Sequence, residues 1–398
     1  MPPSAAQRFS TPVPGDSNGE ADVETGFTGL VSGAFTTETL PAAERIYYPD
    51  GGDLWQISET GAPELVTGTR TIASFSSSAN GHRLAVLTVE PGEDSGQEQS
   101  RLSVVGSDGE VLFDPDDMEA GVRLEDSSPV ESVSMSPSGD VLSVTHQSGA
   151  MTLLTLDGDS DQLMPPSLEH RPGRISWSAD EQFIAFLDPW LPDEPSSLRV
   201  MVLGEDEVQT VVEPSPDGHG VVRAKWIPGT PYLVVIRESG STISHGGNLF
   251  LIDIDTGRQE LLMSSGEIAP VAGIVDVVPS PDGEWLAATG YVPGDEYPEF
   301  AGLWLINLES GLRISVALEN DFSVTDMWWL DDQLLVRVID DPRTSLPGTY
   351  TGREDFALLE IDPATGGSSE RYSRIDDSQD DDENDGGDDD NGDDDEDD

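Results

Sequence analysis

The chain has 398 residues, no cysteine, and 78 acidic against 19 basic residues, which gives a formal net charge of −59 at pH 7. The absence of cysteine excludes a disulfide framework, a thiolate metal site and a cysteine nucleophile. Such an acidic composition offers no basic patch to neutralise phosphates, so it argues against binding of nucleic acid or anionic lipid. The self-repulsion of so many negative charges is best tolerated where salt screens it, which favours a halophilic source.

The two ends of the chain differ in composition from its middle. Residues 1–26 are rich in Pro, Ser, Gly and acids, and lack the basic start and apolar core of a signal peptide, so they predict a disordered leader. Residues 376–398 hold 16 acids and no base, which predicts a disordered, solubilising tail, with weak cation collection or docking to a basic partner as alternatives. Residues 27–375 are the predicted folded domain, and they contain no apolar run of about 18 residues that would span a membrane.

Within the folded domain a short turn recurs. The clearest copies are Ser136-Pro137-Ser138-Gly139 and Ser280-Pro281-Asp282-Gly283, each placed between two apolar runs. Including weaker copies, the turns begin at Ser78, Ser136, Ser178, Ile227, Ser280 and Leu330, which are 42 to 58 residues apart. A recurring unit of this length indicates a repeat architecture.

A second hairpin follows each turn, as in the stretches 249–263 and 303–318, where apolar residues alternate around Asp-Thr-Gly or Glu-Ser-Gly. Seven such hairpins occur, including one at 54–66 that precedes the first turn. Each unit is therefore predicted to be four short antiparallel strands, A to D, and residues 29–36 are the candidate A strand of the first unit. The predicted fold class is all-β: a β-propeller of seven four-stranded antiparallel blades, with six and eight blades as the alternatives.

The Ser-Pro-Asp-Gly turn, the following Leu-Ala strand and the Leu-Ile-Asp-Ile-Asp-Thr-Gly hairpin together resemble the TolB-type, WD40-like propeller repeat over roughly Glu44 to Arg374. The resemblance implies a propeller whose A strands are innermost, with the B–C and D–A loops on the face of one channel mouth. It leaves the activity open, because this architecture hosts many functions.

The fourth residue before each turn is polar around the whole ring: Ser74, Ser132, Arg174, Arg223, Asp276 and Asp326. In the implied geometry these residues surround the channel mouth, and Arg223 and Asp276 of adjacent blades are expected to be able to pair. One interpretation is an ion-pair network between blades. The other is a binding ring for a polar or anionic ligand, with Arg174, Arg223, Asp276 and Asp326 as the candidate residues.

Long, proline-containing loops are predicted on the same face, at 188–195, 290–300 and 339–355. Trp190, Tyr291, Tyr297 and Tyr350 are their candidate partner-binding aromatics, the alternative being that they only pack the loops on themselves.

Catalytic motifs are absent: there is no Gly-x-Ser-x-Gly elbow, phosphate loop or His-Glu-x-x-His, and no histidine pair has metal-ligand spacing. The leading expectation is a non-catalytic scaffold, monomeric and without cofactor or metal, that binds a protein or a small polar ligand through its loop-rich face. The alternative is a propeller enzyme of hydrolase, lyase or lactonase type at the channel mouth. A propeller of the oligopeptidase kind is not expected, since no hydrolase domain accompanies it. An extracytoplasmic location is favoured slightly over a cytoplasmic one.

Overall fold

The structure, a computed structural model, describes residues 39–50, 53–58, 62–67, 71–91, 98–107, 110–113, 128–167, 169–191, 194–205, 208–238, 246–268, 273–292, 299–318, 322–339 and 356–373. The predicted leader, the predicted strand at 29–36 and the polyacidic tail lie outside these residues, so the predicted domain boundaries stay predictions. No helix in the described part is long and apolar enough to cross a membrane.

Apart from one short helix, the regular secondary structure of the described residues is β-strand, and the strands form consecutive antiparallel units. Unit 1 has three strands, β1 (Arg45–Asp50), β2 (Asp53–Ser58) and β3 (Glu64–Thr67). Unit 2 has four, β4 (Ile72–Ser77), β5 (Arg83–Pro91), β6 (Glu98–Gly106) and β7 (Val111–Phe113). Unit 3 has β8 (Val130–Met135), β9 (Val141–His146), β10 (Met151–Thr155) and β11 (Ser160–Met164).

Units 4 and 5 repeat this order. Unit 4 comprises β12 (Gly173–Trp177), β13 (Phe183–Asp188), β14 (Ser197–Val202) and β15 (Val208–Val212). Unit 5 comprises β16 (Val221–Trp226), β17 (Tyr232–Glu238), β18 (Gly247–Asp253) and β19 (Gln259–Met263), and is followed by the one-turn helix α1 (Ser265–Ile268).

Units 6 and 7 complete the described chain. Unit 6 comprises β20 (Gly273–Pro279), β21 (Trp285–Val292), β22 (Glu299–Asn307) and β23 (Arg313–Val316). Unit 7 comprises β24 (Ser323–Leu330), β25 (Gln333–Ile339), β26 (Phe356–Ile361) and β27 (Ser368–Ser373). A bridge between Gly247 and Ile274 joins units 5 and 6 into one eight-stranded sheet.

The recurring serine of the turn closes each first hairpin. Its hydroxyl accepts the backbone N–H five residues on, between Arg83 and Ser78, Val141 and Ser136, Phe183 and Ser178, and Trp285 and Ser280. Gly283 has φ +73°, a conformation that side chains with a Cβ resist, which explains the glycine of the motif.

The larger hydrophobic clusters form between neighbouring units. Inward-facing strand residues of one unit pack on the next, for example Trp177 and Phe186 of unit 4 against Met151 and Met164 of unit 3. The A-strand residues Ala224 and Trp226 are buried in this way against unit 4, as their alternation predicts. The propeller fold is therefore confirmed.

The last described unit packs on the first. Ile46 and Tyr48 of unit 1 share a buried cluster with Leu335 and Phe356 of unit 7, and Arg337 Nη1 donates to the Pro49 carbonyl at 2.7 Å. The described residues thus make up seven strand units in a continuous ring, while the blade number stays a prediction because the first unit's predicted A strand lies outside them.

Residues 39–44 contact the first turns of two units, at the end of the propeller opposite to the B–C loops. The Leu40 N–H donates to the Pro281 carbonyl of unit 6, and the Glu44 N–H donates to the Asn80 carbonyl of unit 2. An apolar cavity of about 300 Å³, lined by Leu40, Tyr47, Trp328 and others, lies beneath this segment.

Replacing Gly283 in the Ser-Pro-Asp-Gly turn of unit 6 with alanine is expected to destabilise the fold. The added Cβ would lie 2.4 Å from the Pro228 carbonyl oxygen of unit 5. Gly311 is the matched control, since its φ is +70° but a Cβ there would meet nothing within 4 Å. We expect Gly311→Ala to cost about 1–2 kcal/mol of unfolding free energy from backbone strain alone, and Gly283→Ala to cost about 1–3 kcal/mol more from the clash. Denaturant unfolding of both variants measures this, and equal losses would contradict the contact between turns.

Candidate functional site

A cavity of about 460 Å³ opens among the A strands of units 2 to 5. Its wall is built from β4, β8, β12 and β16, the strands that the propeller fold places innermost. Ser74, Ser132, Arg174 and Arg223, four of the six predicted ring residues, line it. This part of the ring therefore faces one common space, as the sequence pattern predicts.

A β-bulge precedes or includes the ring residue in every described A strand. The pairing register shifts between Val221 and Arg223 on β16 and between Ile274 and Asp276 on β20, with equivalent shifts on β4, β8, β12 and β24. A bulge bends its strand and re-aims a side chain. The bulges explain how polar residues turn into the channel from strands whose other residues pack between units.

Basic side chains converge in this cavity. Arg174, Arg223 and Lys225 all line it, in a chain that has 19 basic and 78 acidic residues. Lys225 lies two residues after Arg223 on β16, so the period of two along a strand brings both side chains to the same face. Lys225 has no hydrogen-bond or ion-pair partner within the described part of the chain.

The electrostatics of this cluster disfavour its positive charges. The pKa of Arg174 is lowered to about 10, mainly by burial and in addition by the charge of Arg223, while Asp276 opposes the shift. Burial also lowers the pKa of Lys225, with Arg223 and Arg174 adding to the effect and Asp276 opposing it. An anion entering the cavity would relieve this repulsion.

Asp276 provides the compensating charge. Arg223 Nε lies 3.1 Å from Asp276 Oδ1, and the two side chains are only 16% and 14% exposed. The expected contact between these adjacent blades is present. Glu131 also lines the cavity, so two carboxylates lie beside three cations, which leaves the cluster with an excess of one positive charge.

Trp190 forms one side of the site. The Arg174 guanidinium carbon lies 4.8 Å from the centroid of the Trp190 ring, a cation–π contact. The backbone N–H of Trp190 donates to the Arg171 carbonyl at 2.7 Å. A Cβ on Gly173 would lie 2.5 Å from Trp190 Cγ, so glycine is required for this close approach.

Arg174 itself has φ +51°, a left-handed conformation that is unfavourable for a residue with a side chain. Such strain costs on the order of 1–2 kcal/mol and concentrates at functional sites. Together with the bulge on β12, it sets the direction in which the guanidinium points.

Asp326 occupies a different environment from the cationic cluster. Arg337 Nη2 lies 2.6 Å from Asp326 Oδ2, and the Arg337 side chain is 1% exposed. Arg337 Nε also donates to Thr325 Oγ1. Asp326 is therefore held by a buried arginine at the contact between units 7 and 1, where the ion-pair interpretation of the ring applies.

Tyr291 is a correction to the expected loop aromatics. It lies in β21, is fully buried, donates its hydroxyl to the Val324 carbonyl and packs edge-on against Phe300. Burial raises its pKa, and Asp326 and Asp276 add to this shift. Tyr291 is thus unavailable as a surface anchor, because the strand continues further than the loop pattern predicts. Tyr297 and Tyr350 lie outside the described residues.

Lys225 is the functional candidate that the sequence pattern missed. It stands outside the ring position, and its one distinguishing signal is that it is the only lysine in the chain.

No group of three or more His, Asp or Glu side chains in the described segments is arranged to hold a metal ion. The expectation of no metal and no cofactor stays a prediction.

Comparison with known proteins identifies the fold through solved structures. No family model and no curated protein matches the chain. It is similar to a prolyl endopeptidase (TM-score 0.58, 12% identity), covering 85% of this chain and 51% of that one. It is also similar to an oligogalacturonate lyase from Vibrio parahaemolyticus (TM-score 0.54, 10% identity, 84% of this chain and 86% of that one). An oligogalacturonate lyase in complex with manganese has a TM-score of 0.51 at 11% identity, over 84% of this chain and 96% of that one.

These similarities support a β-propeller and do not single out the TolB-like group. The chain spans about half the length of the prolyl endopeptidase that it matches. All three structures belong to enzymes by their descriptions. The expectation of a non-catalytic scaffold is therefore corrected: these neighbours favour its alternative, a propeller enzyme. The manganese belongs to that lyase, and the described residues of this chain contain no group that fits such an ion.

The contact between Gly173 and Trp190 can be tested with Gly173→Ala, which is expected to displace the indole from Arg174 because the added Cβ would overlap it. Tryptophan fluorescence should change in this variant and should not change when the same substitution is made in a Trp190→Phe background. Gly266→Ala, where the nearest atom to the new Cβ is 3.6 Å away, is the matched control. An unchanged spectrum for Gly173→Ala would contradict the described packing.

Proposed function

We propose that this protein is a propeller enzyme that acts at the channel mouth on a carboxylate-bearing substrate, by removing a proton from the carbon next to that carboxylate. The observation that carries the proposal is the convergence of Arg174, Arg223 and Lys225 in one cavity of an otherwise strongly acidic chain. The ligand is thus an anion of small to moderate size.

Carboxylate binding is assigned to the two arginines. Guanidinium groups bind carboxylates through two parallel hydrogen bonds, and the bond is strongest where water is excluded. Arg223 is oriented by Asp276 at 3.1 Å, and Arg174 by its stacking on Trp190. Neutralising the substrate carboxylate makes the adjacent C–H bond more acidic, because negative charge that develops there is stabilised by the same cations.

Lys225 is assigned the role of general base. A base must be neutral to accept a proton, and burial together with the neighbouring arginines lowers the Lys225 pKa in that direction. Its Nζ has no competing hydrogen-bond or ion-pair partner in the described residues.

The reaction class that follows is β-elimination. Lys225 takes the proton from the carbon next to the carboxylate, the electron pair forms a carbon–carbon double bond, and the bond from the next carbon to its oxygen substituent breaks. Trp190 offers an apolar face on which a sugar ring can lie. An acidic oligosaccharide has both the carboxylate and the sugar ring that this site would bind. Oligogalacturonate, which appears in the name of the similar lyase, is one example.

We also infer that the repeats are of the TolB-like type. The serine-to-backbone hydrogen bond across the first turn of units 2, 3, 4 and 6 supports this inference. It concerns ancestry and adds nothing to the reaction assigned above.

The substrate class is tested by incubating the full chain with oligogalacturonates over a range of salt concentrations. The expected result is an unsaturated product that absorbs in the ultraviolet. Arg174→Ala and Arg223→Ala should each raise KM or lower kcat/KM by about 10- to 1000-fold, since a charge-assisted contact contributes about 1.5–3 kcal/mol or more in a dry site. Arg258→Ala, an exposed arginine beside Glu260, is the control. Wild-type protein that forms no unsaturated product, or that instead cleaves proline-containing peptides, would overturn the proposal.

The role of Lys225 predicts a particular pH dependence. Its lowered pKa means that activity should rise with pH as the ammonium loses its proton, at a pH below the 10.5 of an ordinary lysine. Lys225→Arg keeps the charge but removes the base, so kcat should fall by about 100- to 10,000-fold and the rising limb should disappear. A Lys225→Arg variant with wild-type kcat and an unchanged pH profile would refute the assignment.

A further inference from the structure

Histidine–carboxylate pairs occur at equivalent positions in two neighbouring units, outside the cluster described above. In each pair the histidine precedes the A strand, eight residues before the turn that begins at Ser178 or Ile227, and the carboxylate is the last residue of the B strand. The pairs are His170 with Asp188 in unit 4 and His219 with Glu238 in unit 5. Both lie where the A strands begin, and therefore at the mouth end of the channel.

The His170 pair has the better geometry. His170 Nδ1 lies 2.8 Å from Asp188 Oδ2, whereas His219 Nδ1 lies 4.0 Å from Glu238 Oε2. Asp188 is completely buried, while the His170 side chain is 42% exposed. A buried carboxylate that accepts the Nδ1 proton fixes the ring and leaves Nε2 directed away from it.

Asp188 does not depend on His170 for its charge balance. Arg199 Nη1 lies 3.2 Å from the Oδ2 atom of Asp188, and the backbone N–H of Arg171 donates to Oδ1 at 2.8 Å. The carboxylate is thus neutralised and hydrogen-bonded by other groups. His170 Nε2 has no hydrogen-bond partner in the segments that the structure describes, so a purely structural role leaves this atom unused.

His170 and Asp188 lie beside the residues that line the cavity, and each is two residues away from one of them in the chain. His170 is two residues before Pro172, which lines the cavity together with Gly173 and Arg174. Asp188 is two residues before Trp190, and the Trp190 N–H donates to the Arg171 carbonyl, so the two segments are tied together beside the site.

We propose that His170, oriented by Asp188, is the general acid that protonates the leaving oxygen in the elimination assigned above. This inference rests on the proposed function. As Lys225 Nζ accepts the proton from carbon, the carbon–oxygen bond breaks, and the departing oxygen takes the proton from Nε2 of the His170 imidazolium. The imidazole becomes neutral and keeps the proton on Nδ1, which it donates as a hydrogen bond to Asp188 Oδ2. Water later returns a proton to Nε2 and removes one from Lys225.

The experiment compares two substrates, an oligogalacturonate whose leaving group is a sugar hydroxyl and a galacturonide with a nitrophenyl ether at the oxygen that leaves. A general acid matters for a poor leaving group and little for a good one. His170→Gln should lower kcat by about 100- to 10,000-fold on the oligosaccharide, leave the nitrophenyl substrate within a few-fold of wild type, and respond to added imidazole.

His82→Gln is the matched control, because His82 Nε2 also lies 2.8 Å from a carboxylate, Glu44, but at the opposite end of the ring. It should leave both rates unchanged. Equal losses on both substrates for His170→Gln, or a wild-type rate on the oligosaccharide, would overturn the proposal, and unfolding curves would identify a loss due to misfolding. If Lys225→Arg is inactive while His170→Gln is fully active, only this inference fails. If the wild type eliminates neither substrate, the proposed function fails with it.

Discussion

The rest of this structure depends on one constraint: a small twisted sheet cannot bury both of its faces by itself. Each unit therefore uses its neighbours, and the buried clusters lie between consecutive units, from the contact of units 1 and 2 through Tyr47 and Leu84 to that of units 7 and 1 through Tyr48 and Phe356. Because each interface needs the next, the ring positions every A strand around a common axis. The arrangement of the channel is thus a consequence of core formation.

The same constraint makes the cationic cluster possible. Buried charges are tolerated when rigid surroundings supply partners. Each of the six bulged A strands of units 2 to 7 re-aims a polar residue while its other residues pack between units, and four of these polar residues line the cavity. Different units use this position differently. Asp326 forms an ion pair with the buried Arg337 at the interface between units 7 and 1. Arg174, Arg223 and Lys225 instead line one cavity, and Asp276 lies beside Arg223 as a counter-charge. An excess of positive charge within so acidic a chain favours one anion at one place.

The two ends of the propeller are held by different interactions. The turns at the far end of the ring are held by serine hydroxyls and by backbone contacts such as that of Leu40 with Pro281. At the mouth, three features fix the side chains to which the chemistry is assigned. They are the strained backbone of Arg174, the close contact at Gly173 and the buried carboxylate of Asp188. Structure and proposed chemistry are thus separated to opposite ends of the same strands.

The repeated turn and hairpin pattern predicted the all-β propeller, the packing of Ala224 and Trp226, and the polar ring, because these follow from a period of two along strands and from the residues that tight turns require. The pattern could not predict that Asp326 belongs to an interface and Tyr291 to the core, since both depend on contacts with units far away in the chain. It also missed Lys225, which shares a face with Arg223, and the pairing of His170 with Asp188 across 18 residues. By itself the sequence determined the strands and their order, because the residues that form tight turns and the alternation of apolar and polar residues along a strand are local properties of the sequence. Apart from the pair of Arg223 with Asp276, only the tertiary structure decided which charges meet, because a bulge of one residue and the closure of the ring control the direction of each side chain.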